Sequence, residues 1–465
     1  MKISRVDVVW NYAASFLKIA SSVILLPFIL RMMPSETVAI WTIFMTVTAF
    51  STLFDFGFNP TFTRNISYVF SGVRTLKSKG LDYIDSSDRQ IDFNLLFNLM
   101  RAMRWFYSRI SIIVFIVFAT FGTYYVKTLL TSYNGSRNDV YIAWLILIVI
   151  NTYGTYTLYY ESLLIGRGLV KRAKQIVILG QVVYLTLASL LILRGYGLVA
   201  IVSAQAASVI IIRLFSYHSF FTNEIRKHLS TAKSSDLKEV IKTISPNAIK
   251  IGFTSFGGFL VQRSSIIIGS LYLSLEQMAS YGISLQLVLV ISGLSGIYIS
   301  TYTPQIAQLR VVMDIKAIRN IYLKSQFIIF LTYLAGGFTI IIFAKPVLNL
   351  ISSQTDILPP LIMSALLLIM FLESNHSVAG QILLSENKVP FFRASLVAGA
   401  LTLILLFSLF ELTHLNLWAL VIAPGIAHLY NNWKWPYEVF KQLGITQDDI
   451  LQVPQLYKKV NRTKW

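Results

Sequence analysis

Long apolar runs separated by short polar breaks set the rhythm of this chain. Twelve runs of about 20–25 residues stand out: 6–30, 37–58, 104–129, 140–165, 173–193, 197–221, 244–270, 278–302, 321–344, 357–381, 391–411 and 416–437. At a rise of 1.5 Å per residue, each can cross about 30 Å of hydrocarbon as a helix. Lipid tails offer no partner to an open backbone amide, so such runs are helical. The pattern predicts an all-α polytopic membrane protein with about 12 transmembrane helices. Its first residues, MKISRVDVVW, carry Lys2 and Arg5 ahead of apolar sequence, as a signal peptide would. That run continues to about residue 30 with no A-x-A-like cleavage site, and it reads as the first span.

The polar breaks carry the topology. Of 40 Lys and Arg residues, 30 fall at the N-terminus, in alternate connections and in the C-terminal segment. Only Arg31, Lys127, Arg137, Arg194 and Lys345 fall in the opposite connections. By the positive-inside rule both termini are expected in the cytoplasm. The outward connections are short, and the longest are 130–139 and 345–356. An external catalytic domain has no room there, and a membrane glycosyltransferase, ligase or polymerase usually needs one, or an acid cluster outside. Two inward connections are longer, 59–103 and 222–243. Within the first, IDFNLLFNLMRAMR (91–104) is amphipathic and is expected to lie along the inner surface before the third span. The second follows the sixth run and divides the chain into an N-lobe (1–221, spans 1–6), a cytoplasmic linker (222–243), a C-lobe (244–440, spans 7–12) and a basic cytoplasmic tail (441–465).

The two halves echo one another. NPTFTR (59–64) ends the second run and TPQIAQLR (303–310) ends the eighth; ESLLIGRGLVKRA (161–173) ends the fourth and GQILLSENKVPFFRA (380–394) ends the tenth. Weak internal symmetry of this kind marks transporters whose site lies between repeats. It predicts two pseudo-symmetric six-helix lobes.

Composition sharpens the class. Hydrophobic residues make up 55% of the chain and charged ones 13%, about half the charge of a soluble protein. The net charge of +19 would suggest nucleic acid in a soluble protein; here basic loops account for it, and no nucleic-acid partner is expected. With no cysteine, disulfides, thiolate catalysis and cysteine-ligated metals are excluded. Five scattered histidines show no ligand spacing, so no metal site is expected, and no catalytic constellation points to an enzyme. The basic end LYKKVNRTKW (456–465) could hold acidic lipids or a partner, which leaves a non-transporting scaffold as one further reading.

Ionisable groups inside the runs are costly and mark function by default. Lys18 lies about 18 Å from either end of the first span. Snorkelling over about 6 Å cannot bring it out, so it is expected to face a wet cavity or a counter-ion such as Asp55. Arg263 forms a polar doublet with Gln262 about 10 Å from the outer end. Lys250 and Arg213 stand within about 12 Å of the inner interface, where snorkelling competes with a cavity role. Arg64 falls at the level of lipid phosphates, close enough for Asp55 to pair with it or with a neighbouring helix. The acids Asp55, Glu161 and Glu373 lie toward the cytoplasmic ends of their spans, and His376 follows Glu373 by nearly one turn. These four are gate or coupling candidates. Tyr153, Tyr156 and Tyr160 share one helical face and are candidates for sugar contact or for packing. The pairs Gly257-Gly258 and Gly336-Gly337 suit close helix packing.

Three stretches carry a family resemblance. FDFGFNPTFTRNIS (54–67) is similar to the end of the second span in bacterial polysaccharide exporters, ISPNAIKIGFTSFGGFL (244–260) to the start of their seventh, and LLIGRGLVKRAKQ (163–175) to their four-to-five connection. With twelve runs and the split in the middle, the chain resembles the polysaccharide/O-antigen flippase family of the multidrug/oligosaccharidyl-lipid/polysaccharide exporter superfamily. The resemblance implies two lobes around a central cavity in the bacterial cytoplasmic (inner) membrane. It implies a polyprenyl-pyrophosphate-linked glycan carried from the inner to the outer leaflet, with membrane lipids, a glycan polymerase and other assembly proteins as partners. A pyrophosphate cannot cross a low-dielectric layer unaided, and Lys18, Arg263 and Lys250, with Arg213 and Arg64, are the cations that would offset the cost. No cofactor is expected; a coupling ion, H+ or Na+, is not named by the sequence. A multidrug or organic-cation antiporter of the same superfamily is the alternative. Such a protein needs acids in its cavity, whereas the deepest charge here is basic.

Overall fold

The computed structural model describes residues 5–70, 72–75, 91–233, 237–311, 313–385, 390–430, 432–447 and 449. Among them every regular element is helical. Two compact units, Met1–Phe256 and Gly257–Trp465, divide the chain. The division falls inside a helix that begins in the 222–243 connection.

The first unit holds α1 (Arg5–Met32), α2 (Ser35–Ser51), α3 (Phe58–Phe70), α4 (Phe93–Val117), α5 (Thr123–Leu129), α6 (Arg137–Tyr156), α7 (Tyr159–Gly166), α8 (Val170–Leu193), α9 (Gly197–Phe220), α10 (Asn223–Ser230) and the first part of α11 (Leu237–Tyr272). The second holds the rest of α11 with α12 (Leu275–Val311), α13 (Ile315–Leu350), α14 (Pro360–Leu384), α15 (Phe392–Leu412), α16 (Leu417–Leu429) and α17 (Lys434–Leu443). Ten helical runs among the described residues are long and apolar enough to cross a membrane. Their outward faces are apolar too: Leu145 is 64% exposed and Leu361 71%. In water such faces would be an aggregation liability; in a bilayer they meet lipid.

Three expected boundaries change. The segment 91–104 does not form a separate surface helix. It is the first part of a 40-residue helical run, Phe93–Ser132, that passes through a π turn at Phe118–Gly122. Asp92 starts the run by accepting from the Leu95 amide at 3.0 Å. The apolar positions that looked interfacial are instead buried: Leu96, Leu99, Ala102 and Met103 pack into one core with Tyr107, Phe62, Ile66 and Leu163. Second, NPTFTR does not close the second run: α2 already ends at Ser51, and a new helix, α3, starts at Phe58. Pro60 sits in the first turn of α3, where a missing amide costs no hydrogen bond, and the helix runs on to Phe70. Third, the expected twelfth span, 416–437, is two helices. The 13 residues of α16 cover only about 20 Å, and α17 starts afresh at Lys434.

Each unit shows the same neighbours. In the first, α6 packs on α2, α4 and α9, and α8 packs on α9 and α1. In the second, α14 packs on α12, α13 and α16, and α15 packs on α16. The fourth span of each half is thus wrapped by the second, third and sixth. Between α11 and α15, a Cβ on Gly257 would meet the Ser395 backbone, whereas one on Gly258 would meet nothing within 4 Å. Of this doublet only Gly257 serves close helix approach.

At the C-terminal end of the second unit, Asp449 accepts from the Thr446 amide and hydroxyl at 2.9 Å each and from Arg319 of α13 at 2.8 Å. The Thr446 donors first, and Arg319 with them, hold its carboxyl below the usual carboxylate range. A lowered carboxyl contributes above its ordinary value and loses that contribution as pH falls through the lowered one. This tie to α13 is therefore complete at neutral pH and opens only in strong acid.

Gly257→Ala should cost about 1–3 kcal/mol of stability, because backbone cannot move aside as a side chain can. Gly258→Ala should leave the melting temperature in detergent unchanged. Equal melting of the two variants would remove the close approach assigned to Gly257.

Candidate functional site

Charged and polar groups inside the helices gather in two clusters, one in each unit. The first grows from the turn after α2. Thr52–Asp55 tighten into a 3-10 turn, and the backbone then goes left-handed at Phe56 (φ 46°) and Gly57 (φ 70°). Phe56 accepts this conformation although it has a Cβ. It is wedged in place: a Cβ on Gly252 of α11 would lie 2.6 Å from the Phe56 Cα, and the Phe253 ring sits 6.4 Å from the Phe56 ring. The turn aims the Asp55 carboxylate back at the start of α3. Both of its oxygens accept from the Asn59 amide at 3.1 Å, capping the helix and complementing its positive end. One oxygen also accepts from the Tyr107 hydroxyl of α4 at 2.6 Å. The side-chain oxygen of Asn59 accepts from Ser162 of α7 at 2.7 Å. Asp55 thus ties α3, α4 and, through Asn59, α7. It pairs with neither Lys18 nor Arg64.

One residue before Ser162, Glu161 stands 3.8 Å from Arg213 of α9. Arg213 is the more buried partner, its side chain 11% exposed against 34% for Glu161. It reaches the Gly154 carbonyl at 3.5 Å, while its Nε and Nη1 have no hydrogen-bond partner among the described residues. Tyr153, Tyr107 and Tyr160 lie near this guanidinium. The three tyrosines expected on one continuous face are divided by a break: α6 ends at Tyr156 and α7 begins at Tyr159. All three are half-buried.

The second cluster lies in the other unit. Glu373 of α14 meets His428 Nδ1 of α16 at 3.0 Å and accepts from Gln262 of α11 at 3.3 Å. The sequence pointed to His376 as its partner. The structure gives that place to His428, 55 residues on in the chain, while the buried His376 Nδ1 has no hydrogen-bond partner among the described residues. Next to Glu373, Ser374 joins Tyr333 at 2.8 Å and Ser292 at 3.2 Å. In each unit, then, an acid on the fourth span holds a base on the sixth.

The basic candidates stand differently. Lys18 is exposed on α1 and Arg64 is exposed on α3, and neither has an ionic or hydrogen-bond partner among the described residues. Arg263 is half-buried beside Tyr281, with no acid against it among the described residues. Lys250 lies on α11, but its side chain is outside the described residues. No group of three or more His, Asp or Glu that could hold a metal occurs among the described residues. The sequence reading missed Tyr107, Ser162 and His428. A lone histidine in the apolar run ALVIAPGIAHLY was the available signal for His428. Tyr107 gave none, because periodicity in the apolar run 104–129 does not say which face turns inward.

No family model matches the sequence, and no curated protein does. Solved structures do match over nearly the whole chain. The MATE multidrug transporter DinF-BH is 17% identical, with 96% of this chain and 97% of that one covered and a TM-score of 0.61. The lipid II flippase MurJ, in an inward closed conformation, is 12% identical, with 97% and 90% covered and a TM-score of 0.60. A MOP-superfamily transporter from Pyrococcus furiosus, described as having a binding pocket of reverse polarity, is 13% identical, with 94% of each chain covered and a TM-score of 0.55. The chain therefore has the fold found in transporters of the multidrug and lipid-linked kinds, all-α and multi-pass.

Removing the hydroxyl with Tyr107→Phe should cost about 1.5–3 kcal/mol, the range for a hydrogen bond to a charged group. His428→Ala should cost more than His428→Gln, which keeps a donor for Glu373. Melting of the purified variants reads both; a Tyr107→Phe protein as stable as wild type would demote the Asp55 link.

Proposed function

We propose that this protein is a flippase. It carries a polyprenyl-pyrophosphate-linked oligosaccharide from the inner to the outer leaflet of the bacterial cytoplasmic membrane by alternating access, for assembly of a surface polysaccharide such as O-antigen, capsule or exopolysaccharide. The observation that carries the reading is an asymmetry of charge. The three acids expected inside the spans are all engaged: Asp55 by Tyr107 and the Asn59 amide, Glu161 by Arg213, Glu373 by His428 and Gln262. Three basic candidates, Lys18, Arg64 and Arg263, face no acid among the described residues. A cationic drug needs a free carboxylate; a pyrophosphate needs free cations. Solved transporters of both kinds share the fold, so the fold does not choose between them; the charges favour the lipid-linked substrate.

Further support comes from the bias of basic residues, which favours cytoplasmic termini. In this reading the prenyl tail stays in lipid while Lys18, Arg263, Lys250 and Arg213 serve as cations for the headgroup. Asp55, Glu161, Glu373 and His376 act as gate or coupling groups for H+ or Na+. Partners are the lipid-linked glycan, membrane lipids, and the polymerase and other proteins of glycan assembly.

Thermal stabilisation of the detergent-purified protein tests the reading. A polyprenyl-pyrophosphate oligosaccharide should raise the melting temperature of wild type, and clearly less that of Lys18→Ala. A lipophilic organic cation should not raise it. Stabilisation by the cation alone would overturn the flippase reading and favour the antiporter.

A further inference from the structure

We propose that the first unit carries a headgroup subsite for phosphorylated glycans, in which Tyr156, Tyr160 and Tyr217 take sugar rings and Arg104 takes a phosphate. It rests on the flippase reading and assigns that reading a place on the chain.

The rings form one chain across helix boundaries. Tyr156 meets Tyr159 at 6.4 Å, Tyr159 meets Tyr160 at 4.5 Å, and Tyr160 meets Tyr217 of α9 at 5.4 Å. Tyr159 is buried and anchors the series, while Tyr156, Tyr160 and Tyr217 remain half-buried, each with part of its surface open. Arg104 of α4 is exposed and lies beside Tyr159, Tyr156 and Tyr160. Across the series, Arg226 of α10 lies over the Tyr217 ring at 5.7 Å. Four tyrosines and two arginines from α4, α6, α7, α9 and α10 thus meet on one patch.

Depth suits a headgroup. Tyr160 lies 23 residues beyond the start of α6 at Arg137, about 35 Å along the helix direction, close to one hydrocarbon thickness. The chemistry suits a phosphorylated sugar. Aromatic faces cover the C–H face of a pyranose while phenol hydroxyls bond to its hydroxyl groups, and a guanidinium fork matches phosphate oxygens in paired bonds. Apolar packing alone would be served by phenylalanine, which has no hydroxyl to satisfy. An aromatic belt would spread its rings around the protein at one level rather than join them edge to face in a series flanked by arginines. Lipid phosphates offer Arg104 the same anion, so the test separates the two sources.

The measurement is equilibrium binding to the full chain in phosphatidylcholine nanodiscs. Three probes are compared: a decaprenyl-pyrophosphate-linked trisaccharide, decaprenyl pyrophosphate without sugar, and phosphatidylglycerol. Arg104→Gln should weaken both pyrophosphate probes about tenfold, as loss of a charge-assisted bond does. Tyr160→Leu should weaken the sugar-bearing probe about fivefold and leave the sugarless one unchanged, while Tyr160→Phe keeps most of the affinity because the ring remains. Melting temperatures equal to wild type confirm that the variants are folded. Wild-type affinity of Arg104→Gln and Tyr160→Leu for the sugar-bearing probe would overturn the subsite and leave the flippase reading standing. Displacement of both pyrophosphate probes by equimolar phosphatidylglycerol would make Arg104 a lipid anchor and overturn it too. Failure of wild type to bind either pyrophosphate probe would overturn the flippase reading itself.

Discussion

A carboxylate among hydrocarbon chains must find donors or a counter-charge, because losing water costs several kcal/mol that nothing in lipid returns. The arrangement of both units follows from meeting that demand. Asp55 takes its donors from α4 and from the first turn of α3; Glu161 and Glu373 each take a base from the sixth span of their own half. Apart from the local cap on Asn59, each contact joins helices that are distant in sequence. The polar groups therefore fix which helices are neighbours, while the apolar surfaces supply the close fit.

The same demand explains the stretch FDFGFNPTFTR. A polar string at the end of an apolar run looks like a helix stop. It is a corner instead: a left-handed turn at Phe56-Gly57 that ends one helix and lets Asp55 cap the next. Phe56 is held by the close approach of Gly252, and Asn59 extends the network to Ser162. A capped corner between two helices can absorb a change in their angle with few broken contacts, as the alternating access proposed above would require.

The sequence made the class and the all-α architecture readable, because hydrocarbon thickness sets run length; the run count was less exact, since 416–437 breaks into α16 and α17. Partners were harder. In an all-apolar span the periodicity does not say which face turns inward, so the partner of Asp55, 52 residues away at Tyr107, left no trace. His376 looked right for Glu373 because it lies one turn away, yet α14 turns Glu373 toward α16, where His428 waits. Segment 91–104 was misread for a related reason. Its amphipathic pattern is that of an interfacial helix, but here the apolar side meets α3 and α7 rather than lipid.

The most direct test of the central claim is transbilayer movement itself. The full chain would be reconstituted into proteoliposomes with a fluorescent polyprenyl-pyrophosphate oligosaccharide, and leaflet exchange followed by access of a membrane-impermeant quencher. The account predicts exchange that depends on the protein, falls in Lys18→Ala and is not inhibited by organic cations. Protein-dependent transport of an organic cation, with no movement of the pyrophosphate lipid, would contradict it.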